Sequence, residues 1–204
     1  MFKLAATVAF AAALLSGSAL AQPAKPTVVL VHGAFADSSS WNGVTKILQK
    51  DGYTVVAAAN PLRSVAGDAA YVSDIISSIK GSVVLVGHSY GGQVISTAAN
   101  GKDNVKSLVY VAAFAPEAGE AAADLAGKFP GGTLGQALAA PVKLIGGGVD
   151  LSIDQAKFHD QFAHDVSIED AALMAADQRE VAVLVPTDLR LESLVVDRRK
   201  RRRR

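Results

Sequence analysis

"SVVLVGHSYGGQVISTAANG", residues 82–101, decides how the rest of the chain is read. Val83 to Val86 form the unbroken β-branched and aliphatic run of a strand buried on both faces. Gly87-His88-Ser89-Tyr90-Gly91 follows, then a helix-compatible segment that stops at Asn100-Gly101. A strand that passes directly into a helix leaves a single residue at the bend, here Ser89, with its hydroxyl standing clear of the sheet. Such a bend is tight, and glycines two before and two after the serine remove the Cβ atoms that would collide there. Gly-x-Ser-x-Gly by itself is a weak signal, because small residues are common in turns. The buried strand before it, the helix directly after it and a third glycine, Gly92, make it a strong one. A serine that merely caps a helix needs none of these.

Reading outward, "TVVLVHG" (27–33) is a second continuous β-prone run stopped by glycine. In "DSSSWNGVTKILQKDGY" (37–53), Asp37 or Ser38 can cap a helix that places Trp41, Val44, Ile47 and Leu48 on one side, with Gly52 past its end. "YTVVAAA" is another strand, and "GDAAYVSDIISSIKG" a helix whose apolar stripe is Ala70, Val72, Ile75, Ile76 and Ile79. "VKSLVYVAAFAP" is a fourth strand ending at Pro116. Strands alternating with helices at this spacing predict an α/β fold with a parallel sheet covered on both faces. Beyond Pro116 the regularity fades into Ala- and Gly-rich sequence. Two amphipathic helices are expected in "SIDQAKFHDQFAHD" and "SIEDAALMAADQRE", each opened by a capping serine. Residues 117 to about 178 are read as a cap over the carboxyl edge of the sheet, where open α/β folds bind ligands. After it, "VAVLV" is at most one more strand.

The ends differ from the body. Lys3, the apolar run Leu4–Leu15 and the small residues Ala19-Leu20-Ala21 predict a cleaved secretory signal over residues 1–21, with Gln22 as the first mature residue. The run is shorter than the ~20 residues of a spanning helix, so no membrane span is expected. The mature chain is then expected to be secreted or periplasmic. Arg198 to Arg204 are seven consecutive cations. With Lys3 also set aside, 12 Lys plus Arg remain of 20, against 19 Asp plus Glu, so the body is near −7 although the whole chain is +1. Residues 191–204 are read as a disordered basic tail that can bind polyanions non-specifically. A specific nucleic-acid partner is not expected, because no aromatic residue is interleaved for base stacking. Zero cysteines exclude disulfides and thiolate chemistry. No spacing of His, Asp and Glu resembles a metal site, and no metal or nucleotide cofactor is implied.

"VVLVHGAFADSSSW", "VVLVGHSYGG" and "VKSLVYVAAFAPEAGE" together resemble the α/β-hydrolase family, over residues 27 to about 180. The His-Gly turn before a Trp-bearing helix and the "VAAFAP" strand end look most like small esterases of the methylesterase and hydroxynitrile-lyase branch. The resemblance implies an α/β-hydrolase domain over residues 22–190 with a small helical cap. It implies Ser89 as nucleophile, Gly87 and Gly91 as the glycines of its turn, and an oxyanion hole from the backbone N–H groups of Ala34 and Tyr90. His32 and His88 are then framework residues of the turns. The implied substrate is a small carboxylic ester, with Phe114, Phe129, Phe158 and Phe162 as candidate pocket walls.

A serine hydroxyl needs a general base, and the base an orienting acid. In the family these follow the serine in the order acid, then histidine, on loops beyond the equivalent of residue 180. Here no histidine follows His164. His159 and His164 are the remaining candidates for the base, and Asp188 and Asp197 for the acid only by default. The expectation is an exported serine esterase whose catalytic set is incomplete as written, through a truncation or frame change after about residue 180. A non-catalytic or poorly folding hydrolase-fold protein is the alternative, and hydroxynitrile-lyase-like chemistry at the same serine a further one.

Overall fold

The structure, a computed structural model, describes residues 24–117, 120, 122–129 and 131–183. The expected signal segment, the basic tail, Asp188 and Asp197 lie outside the described residues. The first half of the described chain is three βα steps and a fourth strand: β1 (Thr27–Val31), a 3-10 turn (Ser38–Trp41), α1 (Asn42–Lys50), β2 (Val55–Ala58), α2 (Val65–Ser78), β3 (Val83–His88), α3 (Gly91–Ala98) and β4 (Val105–Val111). The four strands make one parallel sheet in the order β2-β1-β3-β4, with Val28 opposite Val55 and Leu30 opposite Val86.

Alternation along β1 shows how the sheet is covered. Val29 and Val31 point with Leu85 and Val83 into a core closed by Val72 and Ile76 of α2 and Val94 and Ile95 of α3. Val28 and Leu30 point the other way, onto Trp41, with Leu48, Tyr53 and Val55 around them. Each large aliphatic group buried this way contributes about 1.5–3 kcal/mol. The helices start where their caps dictate. Asp37 accepts from the Ser39 N–H at the 3-10 turn, and Ser64 accepts from the Gly67 N–H at α2.

Two helix faces depart from expectation. Within α1 no residue is buried; Ile47 is 63 % exposed and Val44 41 %, because the sheet takes up Trp41 and Leu48 and no described segment covers the other two. On α2, which begins two residues before Gly67, the buried positions are Asp68, Ala69, Val72 and Ile76, while Ala70 faces solvent.

The second half is a separate layer: α4 (Ala122–Gly127), a 3-10 turn (Leu134–Ala137), β5 (Val142–Lys143), β6 (Val149–Leu151), α5 (Gln155–Gln161), α6 (Ile168–Asp177) and β7 (Val181–Val183). Residues of "VAVLV" do form a strand, but it joins β5 and β6 in a small antiparallel sheet of order β5-β6-β7. Ser167 caps α6 as expected, whereas α5 is capped by Asp154 and not by Ser152. Phe158, Ile153, Ala163, Ala171 and Ala175 form the core of this layer, and Phe35 from the loop after β1 enters it. Arg63 ties the layer to the sheet, donating to both Asp150 carboxylate oxygens at 2.7 and 3.0 Å and to the Glu180 carbonyl at 2.5 Å.

Leu85→Ala, at a wholly buried position, should lower unfolding free energy by about 2–5 kcal/mol. Ile47→Ser should change it by less than about 0.5 kcal/mol. Urea unfolding of both variants checks the assignment, and the opposite ranking would contradict it.

Candidate active site

Ser89 sits at the end of β3 with φ +50°, a left-handed conformation that costs a residue with a Cβ about 1–3 kcal/mol. The neighbouring backbone holds it there. The Ser89 N–H donates to the Val111 carbonyl (3.4 Å), and the Ser89 carbonyl accepts from the N–H groups of Gly92 (3.0 Å) and Phe114 (3.1 Å). The bend is therefore tied to the first turn of α3 and to the chain leaving β4. A Cβ on Gly87 would lie 2.6 Å from the Gly91 carbonyl oxygen, and one on Gly91 would strike the Val31 carbonyl oxygen. Both positions admit only glycine.

The loop after β1 closes on the serine from the other side. A Cβ on Gly33 would come within 2.9 Å of the Ser89 Cβ, so Ala34 follows at the point of closest approach. Neither the Ala34 nor the Tyr90 amide has a hydrogen-bond acceptor among the described residues. The Ser89 hydroxyl likewise has no side-chain or backbone partner among the described residues. Phe35, also at positive φ (58°), turns its ring away into the second-layer core, edge-on to Phe162 at 6.2 Å.

Tyr90 is anchored from a residue that sequence reasoning passed over. Its phenol donates to Asp68 Oδ2 (2.7 Å), and Asp68 Oδ1 accepts from the Arg63 N–H (3.1 Å), with Asp68 wholly buried. Burial, then the Asp68 hydrogen bond and charge, push the phenol well above its ordinary range, so it stays a donor. An acid in the first turn of a helix reads as a response to the helix dipole. The only signal against that reading is that Asp68 lies on the apolar side, beside Ala69 and Val72.

The four histidines of the chain occupy two places. His32 is fully buried, its Nδ1 donating to the Gly33 carbonyl (2.9 Å), and His88 stacks edge-on against Trp41 at 6.5 Å. Burial lowers the pKa of both and favours neutral rings. His159 and His164 lie in the second layer. The nitrogens of His159 face Asp160 Oδ1 and the Val166 carbonyl, both at 3.2 Å, and no hydrogen bond joins either ring to Ser89. The helix expected over "SIDQAKFHDQFAHD" stops at Gln161, so His164 lies past its end. The turn that follows brings His164 back beside His159 and Asp160. A ring nitrogen of each of the two histidines and a carboxylate oxygen of Asp160 thus lie within 4.8 Å of one another. Of the expected pocket walls, Phe114 lies beside Ser89. Phe158 is inside the second-layer core, and Phe129 is 77 % exposed.

Comparisons with known proteins bear on the family and the fold. Residues 28–201 match the model of the alpha/beta hydrolase family. A carbendazim hydrolyzing esterase of Nocardioides sp. (strain SG-4G) is 34 % identical over 108 residues, which are 45 % of this chain and 43 % of that protein. The match thus spans less than half the length of that curated relative. Polyneuridine aldehyde esterase superposes with a TM-score of 0.67 at 18 % identity, over 78 % of this chain and 70 % of its own. An extracellular alpha/beta-hydrolase from a Paenibacillus species, described as sharing structural and functional homology with tobacco salicylic acid binding protein 2, gives 0.59 at 24 % identity. That superposition covers 79 % of this chain and 72 % of the other.

Tyr90→Phe removes the donor to a buried carboxylate oxygen and should cost about 1–3 kcal/mol of unfolding free energy. Chemical denaturation measures it. A loss below about 0.3 kcal/mol would mean that the Asp68 contact does not hold the turn.

Proposed function

From the premise that the chain belongs to the alpha/beta hydrolase family, we propose that it carries serine esterase chemistry on a small carboxylic ester. Ser89 Oγ attacks the ester carbonyl carbon as its proton passes to water. The bond to the alcohol oxygen breaks with that oxygen taking a proton from water, and a second water hydrolyses the acyl-serine to the acid and free Ser89. The amides of Ala34 and Tyr90 hold the negative charge that develops on the carbonyl oxygen. Backbone donors aimed at such an oxygen can each be worth about 3 kcal/mol of barrier. The observation that supports this best is the Ser89 turn itself: a serine held at φ +50° between two amides without acceptors. A hydroxyl capping a helix requires neither. Acid–base help is the weak part of the set, because His32, His88, His159 and His164 are all engaged elsewhere. Turnover by this chain is accordingly proposed to be slow. The relative named as a carbendazim hydrolyzing esterase supports an ester-type carbonyl substrate. Lys3, the apolar run after it and Ala19-Leu20-Ala21 support export of the mature chain.

A second reading is a hydrolase-fold protein without catalysis. It is favoured by Val109 and Val111 of β4, each 42 % exposed on the last strand of the parallel sheet among the described residues. An open apolar edge of this kind favours association over a stable monomer.

Chemical rescue separates the two. Hydrolysis of phenyl acetate should exceed the water rate by no more than about 10³–10⁴-fold without added base. Imidazole should raise the protein-dependent rate above the imidazole blank, and Ser89→Ala should abolish the increment. Equal responses from parent and Ser89→Ala would refute the nucleophile assignment. Fast Ser89-dependent turnover without imidazole would refute the incomplete set and require one of the four histidines to reach the serine.

A further inference from the structure

Outside the Ser89 site, the end of α5 gathers three groups that the proposed chemistry does not use. Phe162 and Ala163 both donate to the Phe158 carbonyl, at 3.0 and 3.1 Å, which turns the chain back on itself. On an uninterrupted helix a residue five positions on would be rotated by about 140°. Here the rings of His159 and His164 lie 5.6 Å apart, and the ligating atoms of His159, Asp160 and His164 all fall within 4.8 Å of one another.

The hydrogen bonds of His159 say what such a group would hold. Val166 O and Asp160 Oδ1, each 3.2 Å from a ring nitrogen, are both acceptors, while a neutral imidazole carries one N–H. The Val166 carbonyl can only accept, so the proton belongs on Nε2. The lone pair of Nδ1 then faces a carboxylate oxygen, a contact that either a second ring proton or a metal cation between the two atoms makes attractive. A histidine whose outer N–H is held by a backbone carbonyl, with its inner nitrogen beside a carboxylate, is how ligating histidines are oriented. Two ligands on a tetrahedral ion with bonds of about 2.0–2.2 Å stand about 3.4 Å apart, close to the Nδ1–Oδ1 separation.

We propose that His159, Asp160 and His164 bind a divalent transition-metal ion of the zinc type on the second layer, with water completing its coordination. Two imidazoles and one carboxylate favour zinc, copper or nickel over calcium and magnesium, which take oxygen ligands. His159 is half-buried and the other two are exposed, so an ion can reach them, and the ligand atoms, all within 4.8 Å of one another, close to about 3.4 Å around it. Phe162 lies between the ligands in sequence and packs on Phe35, next to Ala34. A bound ion would therefore fasten the segment that walls the loop beside Ser89. The proposal does not depend on the esterase reading.

The test uses the full chain without a polyhistidine tag, stripped with chelator and titrated with ZnCl2 by calorimetry at pH 7.5. Co2+ serves as the spectroscopic probe. One saturable equivalent is expected, with a cobalt spectrum of low coordination number. His164→Ala and His159→Ala should each weaken binding at least tenfold, and Lys157→Ala should not. Circular dichroism checks that the variants keep the fold of the parent. Absence of saturable uptake by the parent would overturn the proposal, and a His159 ring carrying two protons would then assign the contact to an imidazolium–carboxylate pair. Undiminished binding by a well-folded double histidine variant would overturn it equally.

Discussion

The structure depends on one backbone constraint: four segments must meet around a serine in a left-handed conformation. The end of β3, the start of α3, the loop after β1 and the chain leaving β4 all approach Ser89 at van der Waals distance. A conformation that costs about 1–3 kcal/mol survives only where its surroundings leave it no alternative. Here the Ser89 carbonyl is shared by the Gly92 and Phe114 amides, and Gly87 and Gly91 leave no room for side chains. The parallel sheet fixes where those segments emerge, so the site follows from the sheet order β2-β1-β3-β4, with β1 and β3 side by side at its centre.

The same constraint links the two layers. Phe35 leaves the loop beside Ser89 and becomes part of the core built on Phe158 and Ile153, while Arg63 and the Leu62 carbonyl hold β6 and β7 to the loop after β2. Asp68 completes the connection from below, joining Tyr90 to the start of α2. Packed aromatic rings thus join the second layer to the Ala34 loop, and a buried hydrogen bond joins α2 to Tyr90.

Much of this was legible in the chain because the decisive strands are continuous apolar runs with glycine stops. That pattern has few competing interpretations in a parallel sheet. The Ser89 turn was legible because glycines mark it on both sides. What escaped was whatever depends on tertiary placement. Val44 and Ile47 have helical periodicity, yet periodicity cannot say that no described segment lies over them. β5 and β6 are two and three residues long, too short for alternation to be read. Neither glycine nor proline announces the end of α5 at Gln161, so the return of His164 onto His159 could not be seen. Asp68 was hidden by a position that an exposed helix-start acid occupies just as readily.

The most direct measurement of the central claim is a crystal structure of the chain after reaction with a small activated phosphonate ester. The account predicts a bond from phosphorus to Ser89 Oγ, with the phosphonyl oxygen about 2.7–3.1 Å from the amide nitrogens of both Ala34 and Tyr90. A phosphonyl oxygen turned to solvent, or label on any residue other than Ser89, would contradict it.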